Sequence, residues 1–229
     1  MALLTQNREL KEIGAWNWTL PALGAKLDDG RTILTCPTAG ICAQFCYARN
    51  GTYLFRNVKA AHARNLKLTL DNLPGFEEQI VAELQHKKFR GGFVRIHDSG
   101  DFYSDEYTLA WLRIAERVPD VTFYAYTKEV SRFRRLVENK APANFRYLFS
   151  LGGKEDHLVD RENDRHAEVF PSKEALEAAG YFDQEASDLL AIQAPTNRIG
   201  IVANNIPAFK KKMGSRTFGS TQQEKEAQA

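Results

Sequence analysis

The chain has 229 residues, 43% of them hydrophobic and 26% charged, with a formal net charge of +2. These values suit a globular protein with one sizeable core, and the near-neutral balance does not by itself indicate a nucleic-acid binder. No apolar run approaches the roughly 20 residues of a membrane span, and Met1 to Gly14 is polar, without a signal-peptide core, so a cytosolic protein is expected.

Residues 1–30 read as an irregular lead-in, with Trp16-Asn17-Trp18 plugging one end of the core. Arg31–Thr35 suits a strand running into a loop that holds all three cysteines. A helical region covers about Leu54 to Leu70, broken by the turn signal Asp71-Asn72-Leu73-Pro74-Gly75. A second helix near Phe76–Gln85 repeats apolar residues every four positions. Gly92–His97 is a short strand. Ser104 then caps a helix that carries Asp105 and Glu106 in its first turn and ends at Pro119.

Val121–Lys128 is rich in aromatic and β-branched residues and predicts a strand. Ser131–Asn139 reads as helix and Phe145–Leu151 as strand. The stretch 152–190 is less regular, apart from a helix over Ser172–Ala179 stopped by Gly180. Ile199–Ala203 is the last strand, and the tail 208–229, basic and then polar, is expected to be disordered. Alternating strands and helices predict a single α/β domain over 31–207, a partial (βα)5–6 barrel, with an open doubly wound sheet as the alternative.

Side chains alternate across a strand, so Phe93, Arg95 and His97 share one face and Tyr124, Tyr126 and Lys128 another. In a barrel these faces point inward. Arg95, His97, Tyr126, Lys128 and Ser150 are then expected to converge at the C-terminal strand ends, where α/β proteins place their sites. The competing reading makes Arg95 a structural ion pair and His97 a satisfied core histidine.

The cysteines form the run Cys36-x5-Cys42-x3-Cys46. Pro37 and Gly40 let the chain curl, as it must to aim three sulfurs at one point. Three thiolates suit three irons of a 4Fe–4S cluster, leaving one iron open. They equally suit a zinc ion with His97, Asp98 or Asp101 as a fourth ligand, although zinc sites usually show tighter cysteine pairs. Buried, unligated cysteines are a third reading.

A strand, a three-cysteine loop with Phe45 just before the last cysteine, and following βα units resemble the radical S-adenosylmethionine superfamily. The spacing here is longer than that superfamily's usual C-x3-C-x2-C. The phrases Cys-Pro-x5-Cys-x3-Cys-Tyr-Ala, Arg-Ile-His-Asp-Ser-Gly-Asp-Phe-Tyr-Ser and Phe-Tyr-Ala-Tyr-Thr-Lys more closely resemble the bacteriophage "gene product eighty-eight" family, over about residues 15 to 205. A phage-encoded protein would occupy the host cytoplasm.

The superfamily resemblance implies a barrel of that type and an iron–sulfur enzyme. Its open iron would bind S-adenosylmethionine, and a reductant would release a radical that abstracts hydrogen from a substrate. It implies that Phe45 and Tyr47 flank the adenine, and that Ser99, Gly100 and Asp101, with Ser150, hold the cofactor. Arg95, His97 and Lys128 would then act on a small-molecule or nucleotide-like substrate.

The alternatives are a zinc-binding phage protein that acts on nucleic acid through Lys210–Arg216 and Arg132–Arg135, or a metal-assisted hydrolase using His97, Asp98 and Asp101. Asp98–Asp101 also reads as a tight turn whose Asp side chains cap backbone amides.

Overall fold

A computed structural model describes residues 2–204 and 206–228, with residue 208 described by its backbone alone. In chain order the strands are β1 (Ala15–Trp18), β2 (Gly24–Lys26), β3 (Thr32–Leu34), β4 (Phe93–Ile96), β5 (Thr122–Thr127), β6 (Phe145–Ser150), β7 (His166–Phe170), β8 (Phe182–Asp183) and β9 (Arg198–Val202). The helices are α1 (Arg8–Glu12), α2 (Arg56–Asp71), α3 (Leu73–Leu84), α4 (Asp105–Arg117), α5 (Val130–Leu136), α6 (Lys173–Ala178), α7 (Leu190–Gln193), α8 (Pro207–Met213) and α9 (Phe218–Ala227).

Seven strands share one sheet in the order β1-β4-β5-β6-β7-β9-β8, and β2 and β3 form a separate antiparallel hairpin. The pairs β1/β4, β4/β5, β6/β7, β7/β9 and β8/β9 are parallel. The order advances in one direction apart from the β9/β8 exchange. It lacks the reversal that defines a doubly wound sheet, and no closed ring of strands is present among the described residues. The fold is therefore mixed α/β with a largely parallel sheet.

The chain divides into two compact units, Met1–Pro37 with Ala48–Ala125 and Arg132–Arg146, and Thr38–Tyr47 with Tyr126–Ser131 and Tyr147–Ala229. Strands β5 and β6 each pass from the first unit into the second. The first unit is built on rings. Trp18, Phe76, Tyr107, Trp111 and Phe123 are fully buried, with Phe76 4.8 Å from Trp18 and 5.4 Å from Trp111, centroid to centroid. Helix α4 begins as expected: Ser104 Oγ accepts from Tyr107 N at 3.2 Å, and Asp105 and Glu106 occupy the first turn. The second unit has two smaller clusters, one around Leu148, Ala167, Ala191 and Ile199 and one around Ile41, Phe45 and Met213.

Four expectations are corrected. The segment at Trp16 is the edge strand β1 of the main sheet, not a plug, whereas the strand before the cysteines belongs to the β2/β3 hairpin. Asp29-Gly30 turns that hairpin, with Gly30 at φ +90, and an Asp-Gly pair is a strong hairpin signal. Strand β7 lies in the stretch read as irregular, because His166 and Glu168 are polar yet fully buried. The tail carries two helices, α8 and α9, the second opened by a Thr217/Ser220 capping box. Its few apolar residues show no amphipathic period, but Phe218, Phe209 and Met213 pack on Phe45 and Ile41.

Candidate functional site

The boundary between the units falls inside the cysteine loop, after Pro37. Cys36, Arg95, His97, Ser99, Gly100 and Asp101 belong to the first unit, and Cys42, Phe45, Cys46, Tyr47, Lys128 and Ser150 to the second.

In the second unit the loop is fixed from several sides. Glu129, directly after Lys128, accepts from Thr38 N at 3.0 Å and from Thr38 Oγ1 at 2.7 Å. Lys154 N donates to Thr38 O at 2.8 Å, and Cys42 N donates to Gly152 O at 3.1 Å. Gln222 of α9 accepts from Ile41 N at 2.6 Å. A Cβ on Gly40 would run into that Gln222 side chain and stand 2.8 Å from the Gly152 backbone oxygen, so the close approach favours glycine.

The supporting turn, Gly152-Gly153, is itself clamped. Asp156 accepts from Gly152 N at 2.7 Å and from Gly153 N at 2.8 Å. Gly152 sits at φ +97, a conformation that glycine adopts without a Cβ penalty. Burial pushes the Asp156 carboxyl up, and the two amides oppose that shift. Glu168 follows the same design: it is raised by burial and accepts from Gly219 N at 2.9 Å.

Lys128 Nζ donates to Ser150 Oγ at 2.6 Å, so these two predicted residues do meet, at the C-terminal ends of β5 and β6. Tyr126 donates to a carbonyl or carboxylate oxygen of Gln184 or Asp188, at 2.7 and 3.0 Å. Phe45 does not line an open site. Its ring stacks on Phe218 at 5.3 Å and meets Phe209 edge-on at 5.8 Å inside the core. Tyr47, in contrast, is exposed.

In the first unit, Asp101 N donates to Thr35 O at 2.7 Å, tying the 98–101 turn to the residue before Cys36. Leu20 N donates to Ser99 O at 3.0 Å, and Ser99 Oγ donates to Leu20 O at 2.5 Å. Gly100 is at φ +84, and an added Cβ would stand 2.6 Å from Leu20 Cβ. Asp101 Oδ1 accepts from Phe102 N at 2.8 Å. The segment meets the tight-turn reading in part: one Asp101 oxygen caps a backbone amide, while the Ser99 hydroxyl donates to a backbone carbonyl.

His97 departs from the strand alternation. Its φ of +71 lies in the left-handed region, and its ring packs under α4, 4.7 Å from Phe102 and 5.6 Å from Tyr107. Trp18 Nε1 donates to Tyr107 Oη at 2.8 Å, and Tyr107 Oη lies 2.8 Å from His97 Nε2. Burial holds the imidazole down to about 3, so it is neutral near pH 7. His97 and Arg95 therefore do not share an inward face. Arg95 instead lies 3.7 Å from Asp98, whose other oxygen accepts from Tyr53 Oη. Burial lowers His62, which stands beside Tyr53 at 6.1 Å between centroids, and the Asp98 charge opposes that shift.

Sequence reasoning missed Glu129, Asp156 and Gln222 as loop holders and Tyr53 as a partner of Asp98. Only Gly152-Gly153 with Asp156 close behind left a local signal, a glycine turn with a capping acid. All three cysteines are half-buried thiols outside any disulfide. Among the described residues no three His, Cys, Asp or Glu side chains stand grouped as ligands for a metal ion.

These features define an α/β protein with a parallel sheet and a tightly positioned cysteine loop. The Gene product 88 family matches residues 1–228, so the chain belongs to that family. It is similar to the Gene 88 protein of Mycobacterium phage L5, 33% identical over 103 residues, which cover 41% of this chain and 43% of the relative. The Gene 88 protein of Mycobacterium phage D29 is likewise 33% identical over 103 residues, covering 41% of this chain and 42% of that relative. The match thus spans less than half the length of these relatives. No solved structure matches the chain, and no described helix is long and apolar enough to cross a membrane.

Proposed function

We propose that the protein is an iron–sulfur enzyme, with Cys36, Cys42 and Cys46 as cluster ligands and S-adenosylmethionine as the co-substrate. The observation that carries this reading is the fixing of a three-thiol loop by Glu129, Gln222 and the Gly152 carbonyl. A loop with this many anchors is positioned more firmly than a surface connection needs, and preorganised ligands need such support. The donor set suits a cluster, whose thiolates bind separate irons, better than a single zinc ion, whose ligands must converge on one point. The one-directional strand order agrees with a partial barrel of the radical S-adenosylmethionine type.

When bound, a cluster with an open iron supplies one-electron reduction of S-adenosylmethionine. The chain's own residues bind and orient. Glu129 and Gln222 hold the loop backbone, and Lys128, steadied by Ser150, offers a cation to a polar or anionic substrate. Phe45 serves as the loop's apolar anchor rather than as an adenine platform.

The test is iron and sulfide content after purification and reconstitution without oxygen. About four irons per chain are expected in the native protein, and Cys42→Ala should lose them with an unchanged circular dichroism spectrum. Full iron content in Cys42→Ala, or none in the reconstituted native protein, would overturn the reading. One zinc per chain would favour the zinc-binding alternative.

A further inference from the structure

From Gly30 to Leu70 the chain has no aspartate or glutamate, while Arg31, Arg49, Arg56, Lys59, Arg64 and Lys67 all fall within that stretch. In the first unit most other arginines are neutralised at close range: Arg113 by Glu77, Arg117 by Glu78, Arg132 and Arg135 by Asp105, and Arg134 by Glu138. Arg31 and Lys67 are likewise held by Asp29 and Asp71. Arg49, Arg56, Lys59 and Arg64 are exposed and have no ion pair among the described residues.

Apolar side chains stand exposed between these cations in the sequence. Leu54 is 51% exposed and Phe55 58%, directly before Arg56. On α2, Arg56, Lys59 and Arg64 fall on the solvent face, because 100° per residue places them within about 140° of arc. The arrangement also works against the helix itself, since its first turn holds cations and no acid. A large ring left in water beside unneutralised cations is unfavourable for an isolated surface and complementary to one ligand chemistry. Phosphodiesters take the cations, and an unpaired base takes the ring face. A second basic run, Lys87, Lys88 and Arg90, lacks this pairing, because Phe89 is fully buried.

We propose that this face of the first unit binds single-stranded nucleic acid, with Phe55 as a stacking platform and Arg49, Arg56, Lys59 and Arg64 along the phosphates. Duplexes bind less well because their bases are already stacked. Phosphates and base faces are common to both polymers, so DNA and RNA strands bind alike. This binding does not depend on a cluster in the cysteine loop.

The experiment is fluorescence anisotropy of the full chain with a labelled oligothymidylate, across a salt series, beside a duplex of equal length, an oligouridylate and polyphosphate. Affinity should fall with salt, with a log–log slope near −3 if all four cations meet phosphates, at about −0.7 per contact. Arg56→Ala and Lys59→Ala should each make that slope shallower by about 0.7. Phe55→Ala should weaken binding roughly tenfold and leave the slope unchanged. Phe55 and the cations are exposed, so these variants fold. No binding, equal affinity for duplex or polyphosphate, or an unchanged affinity in Phe55→Ala would each overturn the proposal. Repeating the titration with Cys42→Ala separates the two proposals: loss of iron with retained binding leaves this one intact.

Discussion

In the first unit one buried polar network lies among rings, where Trp18, Tyr107 and His97 bond one another in series. The second holds three buried carboxylates that accept backbone amide hydrogens, Glu129 and Asp156 from loops and Glu168 from the first turn of α9. The two designs respond to different perturbations. An aromatic core resists changes of charge and suffers from lost volume. A carboxylate clamp tolerates a change of volume and fails when its acceptor is removed, because the amides it served are left unsatisfied. The cysteine loop depends on the second design, which fits a segment that must be aimed rather than merely buried.

Removing volume from the first unit should have the largest effect. Phe76→Ala should cost about 3–5 kcal/mol in urea unfolding, as truncation of a fully buried ring does. A loss under about 1 kcal/mol would mean that the ring cluster contributes little.

The next effect is a pH dependence of opposite sign for His97 and for two buried carboxylates of the second unit. His97 is held down to about 3, so between roughly pH 6.5 and 3 the unfolded chain binds the extra proton, and stability falls with acidification by about 1.4 kcal/mol per pH unit. Asp156 and Glu168 are raised by burial. There the folded state holds the proton more tightly, and their contribution is lost as pH rises through the raised values. His97→Gln should flatten the acid limb of a melting-temperature profile, and Glu168→Gln should flatten the opposing trend. An unaltered profile in His97→Gln would refute the buried-neutral assignment.

A smaller loss, about 1–3 kcal/mol, is expected for Glu129→Ala, which leaves two Thr38 donors without their acceptor. Hydrogen exchange at the Thr38 amide should quicken, whereas Glu129→Gln, which keeps an acceptor oxygen, should restore part of the protection. The smallest effect belongs to the α4 cap: Ser104→Ala should cost about 1 kcal/mol, read from the same unfolding curves.

The predicted site was legible where its residues follow from strand ends. Lys128 and Ser150 meet because β5 and β6 end side by side, which the alternation of strand patterns anticipates. His97 was misplaced because alternation presumes extended backbone, and a positive φ turns the ring to the helix side. Phe45 stands at a motif position, but its partners Phe209 and Phe218 lie far along the chain and carry no local sign of the contact.

The alternation of strands and helices, the capped start of α4 and the concentration of thiols in one loop are all readable along the chain. These rest on short-range physics: period, propensity, caps and turn residues act within a few positions. That the Trp16 segment joins the main sheet, that the tail forms helices, and which acids clamp the loop emerge from long-range packing. Those outcomes depend on partners far apart in the chain. Ile41 and Gln222, for example, are joined by a hydrogen bond that neither residue's neighbours foretell.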